Sequence, residues 1–353
     1  MAEVVAPVKI PHEIEDVTAE WLTDALATDM PGIVVDDATI VGRIPGASTK
    51  ARVKLRTNRN DAPVSVIVKA GFEPHSPNMR MMHDNEMHAY RDFAPLVGVN
   101  TPKCYFAGRD EAGHSLVILE DLDERGVHFL SLQKPIGFEL ATGFLDALAQ
   151  IHARTWNVTR DDIFDWVPDT SRRQNGHYIA ILEDPVRFDH FAQSPRCAAM
   201  PQSLVDADRM LRVFAAMREY HETQTFVVNH GDMHLGNLYT DADGTPGLLD
   251  WQPRYAPWSL DVSYFIIAGL DLLNRRKWEG ALLQYYLTKL AAHGVDAPSF
   301  DQAWEAYRKT IPWGLKIWML NGTEFQTESR NTAAAVRFAM AAVDHDMFKL
   351  LGV

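Results

Sequence analysis

The segment His230-Gly231-Asp232-Met233-His234-Leu235-Gly236-Asn237 sets a histidine, an aspartate and an asparagine at H-x-D-x-x-x-x-N spacing. Further on, the apolar run Gly247-Leu248-Leu249 ends in Asp250. This is the spacing of a phosphoryl-transfer catalytic loop followed by a metal aspartate. Phosphoryl transfer asks a protein for positioning and charge neutralisation more than for covalent chemistry. One carboxylate must take or orient the proton of the attacking hydroxyl, and Asp232 is the candidate. Magnesium prefers oxygen ligands, and the amide oxygen of Asn237 with the carboxylate of Asp250 would supply two. A hairpin turning at 241–244 would bring both to one end of a small sheet. The same residues also fit a plain His-Gly-Asp turn, with Asn237 left-handed and Asp250 capping the next segment.

Lys69 is the second signal. It follows Val64, Val66, Ile67 and Val68, and a lysine in such company is rarely buried without a partner. It can bridge phosphates and pair with Glu86, which shares a helical face with Met82 and Tyr90. On its own, such a lysine is more often a strand-end lysine pointing into solvent. The turn at 42–50 holds Gly42, Gly46, Ala47, Ser48 and Thr49, which could cover phosphates with backbone N–H groups and hydroxyls, Ser48 being the hydroxyl candidate. It does not match G-x-G-x-x-G and also fits an ordinary hairpin turn. In Leu116-Val117-Ile118-Leu119-Glu120-Asp121-Leu122, backbone groups near Glu120 and Leu122 could hydrogen-bond an adenine edge. The bland alternative is a strand end followed by solvated acids.

The elements that must position these residues are legible as patterns. A helix is expected over 17–26, opened by Asp16 or Thr18. Strands are expected over 38–41, 51–57 and 64–70, the second alternating cleanly. A helix over 78–93 and strands over 103–107 and 115–119 complete a β-rich first part. After Leu119 the character changes. Helices are expected over 135–156 and 204–221, an irregular stretch over 161–201, a small β element over 226–250 and helices from Ser259 to Leu351. The chain thus reads as a nucleotide-binding lobe over 1–119 and a helical catalytic and acceptor-binding lobe over 120–353.

The bulk numbers agree with that division. With 353 residues the chain is long for one core. A formal net charge of -13 argues against nucleic acid as a partner, because phosphate backbones demand clustered Lys and Arg. Two cysteines, Cys104 and Cys197, are too few for a disulfide framework or zinc cluster. No run approaches a membrane span, and residues 1–11 lack the pattern of a signal peptide. A cytoplasmic protein, with no membrane and no obligate protein partner, is the expectation.

Taken in order, these pieces resemble the aminoglycoside phosphotransferase and choline kinase group of small-molecule kinases, and within it the ecdysteroid-kinase-like branch. The resemblance runs over roughly residues 38–350. It rests on Lys69, Glu86, Ile118-Leu119-Glu120-Asp121-Leu122, Leu148-Ala149-Gln150-Ile151-His152-Ala153, the loop from His230 to Asn237, Leu249-Asp250-Trp251-Gln252 and Pro257-Trp258-Ser259-Leu260-Asp261-Val262. It implies an α+β, protein-kinase-like two-lobed fold with a small β-rich N-lobe and a larger helical C-lobe. It implies ATP and magnesium as cofactors, a small-molecule alcohol as acceptor and Asp232 as catalytic base. Asn237 and Asp250 become metal ligands, Lys69 a phosphate ligand paired with Glu86, and Asp261 a residue that orders the loop. Gly231 stands where protein kinases carry arginine, so control by activation-loop phosphorylation is not expected. Gln252 is no clear second metal ligand.

Two other readings share these residues. One is a catalytically silent kinase-like protein that binds a nucleotide or metabolite. The other is a metal-dependent hydrolase on His230, Asp232 and His234, which lacks further ligand positions. For the acceptor, Trp251, Tyr255, Trp258, Trp313, Trp318 and Phe325 could line a cleft for a flat alcohol or box a quaternary amine, although most would serve as core. His234, two residues past Asp232, is expected to line that cleft, with Trp251 beside it.

Overall fold

The structure is a computed structural model that describes residues 8–44, 46, 48–169 and 176–353. Pro45 and Ala47 of the expected phosphate-covering turn, and residues 1–7 and 170–175, lie outside the described residues. The chain divides into two compact units, residues 1–128 with Asp241–Asp243, and residues 129–240 with 244–353.

The first unit opens with α1 (Ala19–Leu26), whose N-cap Thr18 accepts the Trp21 N–H. Five strands follow in the antiparallel order β1-β2-β3-β5-β4. They are β1 (Val35–Ile44), β2 (Thr49–Thr57), β3 (Ser65–Ala70), β4 (Cys104–Arg109) and β5 (Ser115–Glu120). Alternation along β3 decides what each face does. Val66, Val68 and Ala70 join Leu22 and Leu26 of α1 in one core. The odd-numbered Lys69 is thereby turned to the opposite face. The helix expected over 78–93 is α2 (Arg80–His88), continued by a π-turn at Ala89–Phe93 and by α3 (Ala94–Val97), which stops at the left-handed Gly98. Glu86, Tyr90 and Phe93 are buried, whereas Met82, expected on the same face, is 37% exposed. The unit ends with α4 (Leu122–Arg125), and β6 (His128–Phe129) straddles the division.

The second unit is mostly helical. After α5 (Phe138–Ala153) the stretch expected to be irregular holds three short helices, α6 (Gly176–Glu183), α7 (Pro185–Ala192) and α8 (Pro195–Ala198). Local capping explains two of them. Asp184 and Ser194 cap α7 and α8, each with proline at the first helical position. Then come α9 (Ala207–His221), β7 (Phe226–Asn229), β8 (Leu238–Thr240), β9 (Pro246–Leu248) and β10 (Arg254–Pro257). Six helices follow: α10 (Ser259–Gly269), α11 (Leu272–Ala292), α12 (Phe300–Lys309), α13 (Ile311–Leu320), α14 (Glu328–Asp344) and the short α15 (Met347–Leu351). Every residue of α10 is buried, so this helix is the axis of the unit, and α5, α11, α12, α13 and α14 contact it. Among the described residues no helix is long and apolar enough to cross a membrane.

Candidate active site

Strand β7 delivers the chain into the loop at 230–237, and β10 pairs antiparallel with β7 from Arg254↔Asn229 to Pro257↔Phe226. The loop is held from beneath by Asp261, in the first turn of α10. Its Oδ2 accepts the His230 N–H at 2.6 Å and its Oδ1 the Gly231 N–H at 3.0 Å. The buried His152 of α5 stands behind it, with Nε2 3.4 Å from Asp261 Oδ2 and Nδ1 2.8 Å from the Tyr286 hydroxyl.

His230 ties the loop to the strand that precedes Asp250. Its Nδ1 accepts the Asp232 N–H at 3.3 Å, so the proton sits on Nε2, which donates to the Leu249 carbonyl at 2.9 Å. Burial holds the imidazole below its ordinary pKa and neutral. Both ring nitrogens are thus engaged, which removes His230 from any metal set of the hydrolase kind. Gly231 has φ +88°, and a Cβ there would lie 1.8 Å from the Gln252 carbonyl oxygen. That close approach accounts for glycine where protein kinases place arginine.

Asn237 and Asp232 are in direct contact. Asn237 Nδ2 donates to Asp232 Oδ2 at 2.9 Å and to the Asp232 carbonyl at 3.0 Å, which leaves the amide oxygen Oδ1 as the free acceptor end. The Leu249 N–H donates to the Asn237 carbonyl at 2.8 Å, so Asp250 follows directly from a strand paired with the loop. Asp250, not Asn237, is left-handed, with φ +52°, a conformation that aspartate and asparagine tolerate best after glycine. Two oxygen donors on adjoining segments, one neutral and one anionic, fit a magnesium ion. The Asp232 side chain remains 33% exposed, open to a reactant.

His234 and Trp251 lie elsewhere than the sequence suggests. His234 is 4% exposed; its Nδ1 accepts the Gly236 N–H at 3.0 Å, and its ring meets Trp318 edge-on at 5.2 Å. It faces the interior of the unit and caps the turn at Leu235–Asn237, with Nε2 3.5 Å from Asp232 Oδ2. Trp251 is fully buried against His230, with ring centroids 4.6 Å apart. Trp258 and Trp318 are core as well. Neither His234 nor Trp251 offers a surface to an acceptor.

In the first unit, Lys69 Nζ lies 2.5 Å from Glu86 Oε1, and the two side chains are 6% and 5% exposed. Ser48, Lys69 and Glu86 line one cavity of about 10 Å³. The Glu120 N–H is committed to the Lys103 carbonyl at 2.8 Å. Leu122 opens α4, where first-turn amides have no intrahelical partner. Asp121 is no solvated acid: it is 3% exposed and accepts hydrogen bonds from Ser65 Oγ at 2.5 Å and Arg52 Nη2 at 3.2 Å.

Sequence reasoning misses three groups, two near Asp232 and a third beside Arg254. Arg254 of β10 lies against the loop, its Nε 3.0 Å from where a Gly231 Cβ would stand. Tyr264 of α10 is held protonated by burial and by the charge of Asp232. Lys316 of α13 is 3% exposed. One signal was available: Lys316 is the single charge in Ile-Pro-Trp-Gly-Leu-Lys-Ile-Trp-Met-Leu.

Among solved structures, the chain is similar to a choline kinase from Cryptosporidium parvum Iowa II, with TM-score 0.56 and 9% identity over 93% of this chain and 97% of that one. It is similar also to the GDP and kanamycin complex of APH(2")-IIia, with TM-score 0.55 and 13% identity over 92% and 98%. Spectinomycin phosphotransferase with ADP and spectinomycin gives TM-score 0.54 and 14% identity over 94% and 99%. These likenesses establish the protein-kinase-like fold, with a β-rich first unit and a helical second. Methylthioribose kinase of Bacillus mycoides (strain KBAB4) is 25% identical over 143 residues, 38% of this chain and 35% of that protein. That of Bacillus cereus (strain ATCC 10987 / NRS 248) is 27% identical over 151 residues, 39% and 38%. The chain therefore spans little more than a third of the length of these curated relatives. The profile of the ecdysteroid kinase-like family matches residues 47–295, most of the chain, including Lys69, Glu86, the loop at 230–237, Asp250 and Asp261, and this protein belongs to that family.

Proposed function

We propose that this protein is an ATP- and magnesium-dependent phosphotransferase that moves the γ-phosphate to a hydroxyl of a small molecule. The observation that carries the reading is the contact between Asn237 and Asp232 beside Asp250. It orients a partly exposed carboxylate and leaves the Asn237 amide oxygen as an acceptor, with the Asp250 carboxylate on the adjoining segment. In this reading Asp232 accepts or orients the proton of the attacking alcohol. Asn237 and Asp250 would hold magnesium, which when bound neutralises charge on the phosphates. Lys69, kept in place by Glu86, serves the α- and β-phosphates, with Ser48 near them and backbone at Glu120 and Leu122 facing adenine. The first unit is then the nucleotide-binding lobe and the second the catalytic and acceptor-binding lobe. Membership of a family of small-molecule kinases supports the reading, and the kinases it is similar to, named for methylthioribose, choline and aminoglycosides, all act on small molecules.

The test is an ATP-consumption screen over alcohols with purified protein and Asp232→Ala. Loss of turnover by about 10²–10⁴-fold with nucleotide affinity retained supports a general base. Asp250→Asn keeps the left-handed backbone comfortable and removes one anionic ligand, so it should fold normally and require far more magnesium. Nucleotide binding without turnover across the panel would leave a silent kinase-like binding protein instead.

A further inference from the structure

Two cations meet beside Trp313: among the described residues no carboxylate acts on Lys316, whereas Arg254 has Asp232 and Asp261 near it. Lys316 is 3% exposed, and among the described residues its ammonium makes no hydrogen bond or ion pair; it sits among ring faces, with Nζ 4.5 Å from the Trp313 centroid, 5.1 Å from Phe214 and 5.9 Å from Tyr178. Arg254 Cζ lies over the same Trp313 ring at 5.2 Å, and its buried Nε has no hydrogen-bond partner. The charge that acts on Lys316 is Arg254, a like charge, and the one that acts most strongly on Arg254 is Asp232. Burying a charge without a partner is costly, and like charges side by side raise that cost. Aromatic faces soften it but supply no counter-charge. An arrangement of this kind is stable only in part by itself and is completed by an oxyanion.

We propose that Lys316 and Arg254 form the seat for an anionic group on the acceptor, so that the alcohol phosphorylated by this protein carries a carboxylate, phosphate or sulfate beside an apolar body. The proposal rests on the phosphotransferase reading for its reaction, not for the binding site. Asp232 neighbours Arg254, so an acceptor anchored there by its oxyanion presents its hydroxyl to the carboxylate that is to receive the proton. The rings of Trp313, Phe214 and Tyr178 line the seat and favour a hydrocarbon or aryl body next to the anion. The same seat disfavours a polycationic or quaternary-amine acceptor, which would meet two cations.

The experiment has two arms. In the first, unfolding temperature is measured for the free protein, Lys316→Met and Lys316→Gln as sodium sulfate or sodium benzoate replaces sodium chloride at constant ionic strength. The wild type should gain several degrees more than either variant, and benzoate against sulfate separates a carboxylate from a tetrahedral oxyanion. Equal gains in all three proteins would overturn the anion seat. Neither variant should fail to fold, because each removes an unpartnered buried charge. In the second arm, ATP consumption is measured on pairs of alcohols that differ only in carrying a free carboxylate or its methyl ester. The acid should be used and the ester not, with Lys316→Met raising the acceptor KM at least 10-fold and leaving the ATP KM unchanged. Equal use of acid and ester, or an equal rise in both KM values, would overturn the assignment to the acceptor. Sulfate or benzoate binding with no alcohol phosphorylated would leave the seat standing and bring down the phosphotransferase reading alone.

Discussion

The carboxylate of Asp261 receives the backbone N–H of His230 at 2.6 Å, from the first turn of a helix with no solvent-facing residue. With the Gly231 N–H on its other oxygen, one buried side chain fixes the two peptide groups that aim Asp232. Hydrogen bonds to a charged group contribute roughly 1.5–3 kcal/mol each. Asp261→Asn can accept through one oxygen only and places an amide NH₂ against a peptide N–H. Loss of stability of about 2–4 kcal/mol is expected, visible as a lower denaturant midpoint, with kcat reduced more than the ATP KM is raised. A variant with full stability and full kcat would show that the loop needs no such anchor.

Gly231 permits the same loop to turn. At φ +88° an L-residue costs ~1–2 kcal/mol, and a methyl group would also lie 1.8 Å from the Gln252 carbonyl oxygen. The backbone must move, and Asp232 with it. A displacement of about 1 Å at a reacting group costs on the order of 10²-fold in rate. Gly231→Ala is therefore expected to lose at least that much kcat while still binding nucleotide, as read by turnover and by a nucleotide titration on the same sample.

Much of this was legible in the chain because the relevant patterns are local. The run Val-Ile-Val-Lys is a strand whose even positions are apolar, so Lys69 had to face away from them, and Glu86 lay on the one helix face able to meet it. The spacing His230–Asn237 fixed the loop because its hydrogen bonds span only a few residues. The helices between 176 and 198 were missed because none exceeds 8 residues, too short for periodicity to accumulate, although Asp184-Pro185 and Ser194-Pro195 spell their caps. The placement of His234 and Trp251 depends on α10 and α13 packing over the loop, which no local pattern encodes. Arg254 and Lys316 are far apart in sequence and share the Trp313 ring, so their pairing is a tertiary fact.

The Lys69–Glu86 pair separates folding from function. Removing one member of a buried ion pair costs about 3–5 kcal/mol because the other is left charged and desolvated. Lys69→Met should therefore lower stability and also weaken ATP use. The double variant Lys69→Met/Glu86→Leu removes both charges and should recover most of the stability, since apolar replacement of a buried pair is often neutral. If Lys69 serves the nucleotide, ATP use stays lost in the double variant. Stability and ATP kinetics recovering together would assign the pair a structural role alone.

The pH dependence around Lys316 carries the last expectation. Burial, and then Arg254, pull its pKa down from 10.5 to about 7. The other titratable groups facing it are neutral at pH 7: His221 of α9 is pushed down to about 3 by burial, while Tyr178 of α6 is pushed up. Between pH 7 and 10.5 the unfolded chain holds a proton on this lysine that the folded chain does not. Stability from this group therefore rises with pH across that window, and the penalty is full only below pH 7. Lys316→Met should be more stable than wild type at pH 6.5, and the gap should narrow steadily toward pH 9 in denaturant titrations. Anion binding runs the opposite way, because it needs the ammonium form. Benzoate affinity should fall as pH rises above 7, approaching tenfold per unit, and Lys316→Met should show no such slope. A benzoate affinity flat from pH 6.5 to 9 in the wild type would mean that the anion binds without this ammonium.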